Sequence, residues 1–308
     1  MAVLAVVLLA AACAAAQRPT LTTDRIPDSV AEPAESAATT SEFERDAAEL
    51  DLDSDQDTTD QNSAVPETAT NQPGAVEQLG VEVLDTFPHD ADAFTQGLEL
   101  RDGLFLESTG LYGESDLRRV IPETGEVVEL VPLASEFFAE GLTQVGDELI
   151  QLTWRENTAL FYDADTFEPL REVEYNGEGW GLCFDGSQLV MTDGTPELIF
   201  RDSVTFDETA RVPVTLNGEP VFNLNETECV GGEVWANIWR TTQIVRIDPA
   251  TGIVNGVVDA QSLLQASGAA GNGNAVLNGI AWDETTSTFF VTGKLWPTMF
   301  RVNFVPAS

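Results

Sequence analysis

The chain is poor in positively charged side chains and in His and Cys. It has 308 residues, with 14 Lys and Arg against 52 Asp and Glu, one His and three Cys, and a formal net charge of -38. Nucleic acids and anionic membranes repel so acidic a surface, so we exclude both as partners. One His and three scattered Cys do not make a credible zinc site, and we expect no metal and no cofactor.

The first residues lack charge altogether. Residues 1–16 are mostly Ala, Val and Leu, a run that is too short for a comfortable membrane span but resembles an export signal. Cys13 lies where a lipoprotein signal would place the lipid-bearing cysteine, and the alternative is simple export with cleavage near Ala16. We therefore expect an exported protein, either a cell-envelope lipoprotein or a secreted one, with any membrane attachment through Cys13.

The next segment has few aromatic residues. Residues 17–79 are dominated by Ser, Thr, Asp, Glu, Ala and Pro. Such a segment cannot bury enough apolar surface to offset the entropy of ordering it. We predict an acidic, disordered tether, with a docking arm as the alternative. The folded body is then expected at residues 80–308.

The body is built from a repeat of four short apolar strands with Gly- and Asp-containing turns, at a period of about 40 to 50 residues. The repeats open near Phe94, Ala139, Gly179, Asn225 and Asn278. This pattern is typical of a propeller, so we predict an all-β, five-bladed β-propeller. The fifth repeat is short, and the extra strand at residues 81–86 is expected to complete it and close the ring. The Ala-, Gly- and Asn-rich run at residues 265–274 is predicted to be a loop.

In a propeller the starts of the repeats and the ends of their second strands meet at one mouth of the channel. The repeat starts carry Phe94, Gln96, Glu140, Trp180, Asn225 and Asn278, and the second strands end with Glu107, Trp154, Asp193, Trp239 and Lys294. An apolar pocket with a few polar groups is typical of a ligand site, although a single Trp is more often part of a core. Lys294 is the only lysine, which either serves this site or survives by chance.

Glu140 is the candidate for acid–base chemistry. It lies in the stretch Phe137-Phe138-Ala139-Glu140-Gly141, which has no basic residue to keep it ionised. Burial there would raise its pKa and suit it to move a proton near neutral pH. The alternative is a strand residue whose side chain points to solvent.

The motifs of the body resemble those of the plant-type glutamine cyclotransferase family from about Gly80 to Phe304. The residues that carry the resemblance include Ala93-Phe94-Thr95-Gln96-Gly97-Leu98, Glu140-Gly141-Leu142-Thr143, Gly179-Trp180-Gly181-Leu182, Leu277-Asn278-Gly279-Ile280 and Thr292-Gly293-Lys294-Leu295-Trp296. The resemblance implies a five-bladed propeller enzyme, without a cofactor, that converts the N-terminal Gln of peptides to pyroglutamate and releases ammonia.

The resemblance also implies roles for individual residues. Glu140 corresponds to the catalytic acid, and the residues that contact the substrate correspond to Phe94, Gln96, Trp154, Trp180, Asn225, Trp239 and Lys294. We expect a monomer that takes peptides with an N-terminal Gln. One alternative is a non-catalytic propeller that binds a peptide or polymer at the same mouth, and another is a different propeller enzyme, such as a lactonase or a quinone-dependent dehydrogenase.

The remaining His and Cys residues are expected to serve the structure. His89 follows Pro88, before the first repeat, and we assign it a structural role. Cys183 and Cys229 occupy equivalent places in neighbouring repeats. Two buried thiols are favoured over a disulfide, although spacing alone does not decide between them.

Overall fold

Residues 75–307 are described by the computed structural model, and nearly all of their regular structure is β-strand. The all-β prediction is thereby confirmed for this part of the chain. The predicted signal, Cys13 and the predicted tether up to residue 74 lie outside the described residues. The first strand, β1 (Glu77–Pro88), begins before the predicted boundary at Gly80. Long-range contacts explain the difference, because Leu79 is buried in a core that distant strands complete.

Three antiparallel sheets of four strands follow one another along the chain. The first contains β2 (Thr95–Arg101), β3 (Leu104–Thr109), β4 (Asp116–Val120) and β5 (Val127–Pro132). The second contains β6 (Ala139–Val145), β7 (Glu148–Thr153), β8 (Thr158–Asp163) and β9 (Pro169–Glu174). The third contains β10 (Leu182–Phe184), β11 (Leu189–Met191), β12 (Glu197–Arg201) and β13 (Glu208–Pro213). In each sheet every strand pairs with the next one in sequence.

A small hairpin that the repeat pattern does not predict separates the third sheet from the rest. It consists of β14 (Thr215–Leu216) and β15 (Glu219–Pro220). Asn217 and Gly218 form its turn, and both have positive φ, the conformation that an Asn-Gly hairpin turn requires.

The fourth and fifth groups of strands share one eight-stranded sheet. The fourth group contains β16 (Leu224–Val230), β17 (Glu233–Ile238), β18 (Gln243–Ile247) and β19 (Val254–Asp259). The fifth contains β20 (Leu277–Asp283), β21 (Thr288–Gly293) and β22 (Thr298–Pro306), with β1 as its fourth strand. β1 runs antiparallel to β22, as expected for the N-terminal strand, and it also pairs in parallel with β19.

The segment between β19 and β20 is only partly the loop that its composition predicts. A short helix, α1 (Gln261–Ala266), begins this segment, and its last two residues fall within the predicted loop. Leu263 accounts for the helix, because its side chain is fully buried against the core between the fourth and fifth groups.

The hydrophobic core consists of five clusters, and each lies between two consecutive groups of strands. Leu149 packs between the first and second groups, while its neighbour Ile150 packs between the second and third. Successive residues of a strand face opposite sides of the sheet, so each group contributes to two clusters. The last cluster joins the fifth group back to the first, through Phe290 and Leu98. The five groups are therefore packed in a cyclic order.

A disulfide joins the third and fourth groups, so the preference for free thiols was wrong. Cys183 on β10 is bonded to Cys229 on β16, at a Cα–Cα distance of 5.6 Å. The first strands of neighbouring groups contact each other, which brings the equivalent positions of two repeats within bonding range.

Candidate active site

The first strands of the five groups contact one another in cyclic order. At the beginning of these strands, or just before it, lie the residues Gln96, Glu140, Trp180, Asn225 and Asn278. Four of the five strands carry an irregularity in their pairing at this point. A β-bulge bends the strand and changes the direction of a side chain. The same irregularity therefore directs side chains from different repeats towards a common centre.

Glycine next to these residues allows the strands to approach closely. A Cβ at Gly141 would lie 2.6 Å from the carbonyl oxygen of Trp180, and one at Gly181 would lie 2.2 Å from that of Asn225. There is therefore no room for a side chain at Gly141 or at Gly181. The first strand of the fourth group, β16, has Glu226 at the corresponding place, and its buried carboxyl group accepts a hydrogen bond of 2.8 Å from the backbone N–H of Ile280 in the fifth group.

A repeated backbone hydrogen bond places the ends of the second strands beside the first. The bond joins Trp154 to Phe138, Trp239 to Asn223 and Lys294 to Val276, with a donor–acceptor distance of 2.9 Å each time. In the first group the same bond, also 2.9 Å, joins Gly110 to Phe94. The residue presented there is therefore Gly110, and the expectation that Glu107 faces the mouth was wrong because it lies too early in the strand.

These elements enclose a cavity of about 210 Å³. Its lining contains Glu140 and every residue that the sequence assigned to substrate contact, namely Phe94, Gln96, Trp154, Trp180, Asn225, Trp239 and Lys294. Leu111 and Phe138 complete the lining and were missed. The repeats contain a signal for Phe138, because it precedes Glu140 by the same interval as Phe94 precedes Gln96.

Two other residues expected at the mouth do not line the cavity. Asn278 lies behind it, where its Nδ2 donates to the carbonyl oxygen of Thr95 at 2.9 Å and to Oε1 of Gln96 at 3.4 Å. Asp193 instead accepts a hydrogen bond of 3.0 Å from the backbone N–H of Thr195. Asn278 therefore orients a lining residue rather than contacting a ligand.

Glu107 forms a buried cluster with His89. Its Oε1 accepts hydrogen bonds from Nε2 of His89 at 3.0 Å and from the hydroxyl of Thr95 at 2.8 Å. Nδ1 of His89 donates to the carbonyl oxygen of Trp296 at 2.6 Å. Burial alone would lower the pKa of His89, but the Glu107 carboxylate and these hydrogen bonds outweigh it and raise the pKa. His89 thus has the structural role expected of it, holding the segment before β2 against the loop that carries Lys294.

Glu140 is nearly inaccessible to solvent, with 5% of its surface exposed. Burial raises the pKa of its carboxyl well above the ordinary value, attraction to Lys294 opposes the rise, and the Glu178 and Glu156 carboxylates add to it. Nε2 of Gln96 donates to Oε1 of Glu140 at 3.1 Å. The alternative of a solvent-facing Glu140 is excluded, and its raised pKa favours the protonated, uncharged carboxyl more than at an exposed glutamate.

Lys294 is the second titratable group in the cavity lining. It is 4% exposed, and burial lowers its pKa to about 8, although attraction to Glu140 opposes the change. Its Nζ lies 4.8 Å from the centre of the Phe94 ring, a cation–π distance. A weakly basic amine and a weakly acidic carboxyl therefore share one small cavity.

The walls of the cavity are aromatic and fixed by their neighbours. Trp180 meets Trp239 edge-to-face with 5.5 Å between ring centres, and Phe138 lies 5.4 Å from Trp154. Both indole N–H groups of Trp154 and Trp180 donate to the same oxygen of Glu178. Sequence reasoning missed Glu178, which follows a Gly and resembles the many other acidic residues of the chain.

A sequence model of the glutamine cyclotransferase family matches residues 58–304. The chain belongs to this family. It is similar to the glutaminyl-peptide cyclotransferase of Arabidopsis thaliana, with 42% identity over 232 residues that cover 74% of the chain and 72% of the relative. It is also similar to a crystal structure of Myxococcus xanthus glutaminyl cyclase, with 39% identity, a TM-score of 0.72, and coverage of 76% of this chain and 100% of the other.

The glutamine cyclotransferase fold of this chain contains a second, larger cleft of about 980 Å³, lined by hairpin turns such as Asp102-Gly103 and Gly231-Gly232. None of the predicted site residues lies in it. Within residues 75–307, no group of three or more His, Cys, Asp or Glu side chains is arranged to hold a metal ion. No helix of that part of the chain is long and apolar enough to cross a membrane.

Proposed function

We propose that this protein is a glutaminyl-peptide cyclotransferase that converts the N-terminal Gln of peptides to pyroglutamate and releases ammonia. The single observation that carries the proposal is the buried pair of Glu140 and Lys294 in an aromatic cavity. Family membership supports it, as do the names of the two relatives. The volume of about 210 Å³ is smaller than that of a drug-sized pocket and suits one terminal residue.

Glu140 is the proton shuttle of the proposed reaction. The neutral α-amine of the substrate attacks the carbon of its own side-chain amide and forms a five-membered ring. The carboxylate of Glu140 accepts the proton that the amine loses and donates a proton to the amide nitrogen, which leaves as ammonia when the carbon–nitrogen bond breaks. Gln96 holds Oε1 of Glu140, which leaves Oε2 for the substrate.

Lys294 and Asn225 orient and stabilise the reacting amide. The Lys294 ammonium offsets the negative charge that develops on the amide oxygen, as in an oxyanion site. Asn225 is 3% exposed, and its Oδ1 has no hydrogen-bond partner among residues 75–307, so it can accept an N–H of the substrate. The Trp and Phe side chains enclose the Gln methylenes and exclude water, which would otherwise hydrolyse the amide.

The proposal includes a five-bladed β-propeller as the architecture. The cyclic order of the core clusters supports it, because the fifth group of strands packs against the first. The pairing of β1 with β22 supports closure of the ring by the N-terminal strand. In such a ring the first strands surround the axis, which accounts for the meeting of residues from all five repeats at one mouth.

For the residues before the described part we propose the export signal at 1–16, the acidic tether and lipid attachment at Cys13. The charge-free apolar run and the position of the cysteine support this. Intact-mass analysis of the mature protein from its native envelope tests it. An acylated N-terminus at Cys13 is expected, and an unmodified protein that begins after Ala16 would show simple export instead.

The activity is tested with two short peptides that differ only in an N-terminal Gln or Asn, each with the purified full chain and a chelator present. We expect the Gln peptide to lose one ammonia per molecule, measured by mass spectrometry and by ammonia release, and the Asn peptide to remain intact. The shorter Asn side chain would have to form a strained four-membered ring. Binding of the Gln peptide without turnover would reject the enzyme and support a peptide-binding module.

A further inference from the structure

One oxygen of Glu178 links two walls of the cavity. Oε2 accepts a hydrogen bond from Nε1 of Trp154 at 2.8 Å and another from Nε1 of Trp180 at 3.1 Å. Trp154 follows the second strand of the second sheet, whereas Trp180 precedes the first strand of the third sheet. A single carboxylate therefore fixes the relative positions of aromatic side chains that belong to different repeats.

The other oxygen of Glu178 is also occupied. Oε1 accepts a hydrogen bond of 2.9 Å from Nε of Arg155, whose guanidinium lies 3.7 Å from the centre of the Trp154 ring. Partial burial would raise the pKa of Glu178, but the hydrogen bonds from Trp180, Arg155 and Trp154 outweigh it and lower the pKa. The group is therefore an anion near neutral pH, and Trp154 is held both at its edge and on one face.

We propose that Glu178 is the positioning residue of this site, which holds Trp154 and Trp180 in the orientation that receives the terminal residue of the peptide. The inference rests on the proposed cyclotransferase function. Glu178 does not line the cavity itself, so it acts through the two indoles. Rigid walls reduce the ordering cost of binding, and their loss weakens the capture of substrate more than it slows the chemical step.

Glu178 also contributes to the electrostatics of Glu140. The charged groups that act on the Glu140 carboxyl are Lys294, which lowers its pKa, and Glu178 and Glu156, which raise it. Tyr112 and Tyr175 are also near enough for Glu140 to raise their pKa values. Loss of the Glu178 charge therefore lowers the pKa of Glu140, an effect that a purely mechanical support would not produce.

Two substitutions at Glu178 separate these effects in the full-length enzyme. Glu178→Ala removes the acceptor of both indole N–H groups, and we expect KM for a Gln peptide to rise about tenfold with kcat changed less than about threefold, because the two indoles must then be ordered when the substrate binds. Glu178→Gln keeps an oxygen acceptor without the charge. For that variant we expect KM within about threefold of wild type, because neutral hydrogen bonds are weaker but still form. The acid limb of its pH–rate profile should move to lower pH.

Glu208→Ala is the matched control. Glu208 is a carboxylate of similar exposure that binds Arg211 through two hydrogen bonds, 2.8 and 2.9 Å long, and it does not line the cavity. We expect its kinetics to match wild type. The proposal is overturned if Glu178→Ala leaves KM unchanged, if kcat falls as much as KM rises, or if Glu208→Ala gives the same effect.

Tryptophan spectroscopy on the same samples distinguishes failure of this inference from failure of the proposed function. Near-ultraviolet circular dichroism and acrylamide quenching report the order of the indoles without any turnover. We expect Glu178→Ala to lose near-ultraviolet signal and to be quenched more readily, with far-ultraviolet spectrum and melting unchanged. If wild type shows no turnover but Glu178→Ala loosens the indoles, only the proposed function fails. Unchanged indole signals reject the role of Glu178.

Discussion

Replacement of Glu140 by Gln is the most direct test of the proposed chemistry. The carboxamide has nearly the same shape and can still accept the hydrogen bond from Gln96 through its oxygen. It cannot take a proton from the substrate amine. General acid–base catalysis contributes roughly 10²- to 10⁴-fold to rates, which corresponds to about 3–5 kcal/mol of activation free energy.

The structure narrows the expected loss of activity in Glu140→Gln. Lys294 is the only other titratable group in the cavity lining, and its pKa of about 8 allows it to act as a weak substitute base. We therefore expect kcat to fall by about 10³-fold, with KM within about threefold of wild type.

Stability should not fall with activity. The pKa of Glu140 is raised in the folded state, so its ionisation opposes folding above the ordinary carboxyl pKa, and the neutral Gln is expected to keep or increase the melting temperature near pH 7. Steady-state ammonia release and thermal melting of both proteins, with Glu208→Gln as a control, provide the measurements. A variant that is less than tenfold slower than wild type would refute the role of Glu140.

Three further predictions concern charge and cross-links. Lys294→Gln removes the cation that lowers the pKa of the Glu140 carboxyl, so the acid limb of the pH–rate profile should move to higher pH, and a shift to lower pH would contradict the electrostatic account. The pKa of His89 is raised above 6.5 and that of Glu107 is lowered below 4.5, so their pair stabilises the fold fully between these values, and the His89 contribution is lost as pH rises through its folded pKa. His89→Gln should cost about 3 kcal/mol at pH 6 and less at a pH above the folded pKa of His89 in urea unfolding, whereas an equal loss at both pH values would show that the charge is unimportant. The Cys183–Cys229 bond closes a sequence separation of 46, so the variant with both cysteines changed to Ala should lose about 2–4 kcal/mol and melt roughly 5–10 °C lower, and unchanged melting would mean that the bond adds no stability.

The repeats made most of the cavity lining predictable from the sequence alone. Gln96, Glu140, Trp180 and Asn225 open successive repeats, and structural equivalence in a cyclic array places them together whatever their separation in sequence. Local periodicity shows which residues are equivalent. It does not show where each strand ends, which is why Glu107 was expected at a position that Gly110 occupies.

The features that were missed depend on contacts between repeats. Glu178 has no local mark that separates it from other acidic residues, and only the fold shows that two indoles converge on it. The disulfide depends on the distance between Cys183 and Cys229, which belong to different groups of strands. Phe138 could have been predicted from the sequence, because the repeats show that it is equivalent to Phe94.

The position of β1 imposes an order on folding. Asp85 on β1 and Arg301 on β22 form an ion pair although they are 216 positions apart. β22 is therefore synthesised long after β1, and until it emerges from the ribosome the edge of β1 that pairs with β22 has no partner strand. The extra length adds little to the entropic free-energy cost of closing the loop between the two strands, because that cost grows only with the logarithm of the loop length. Pairing between strands so far apart in sequence nevertheless slows folding. The pairing of β1 with β22 is thus expected to be a late step in the folding of this part of the chain.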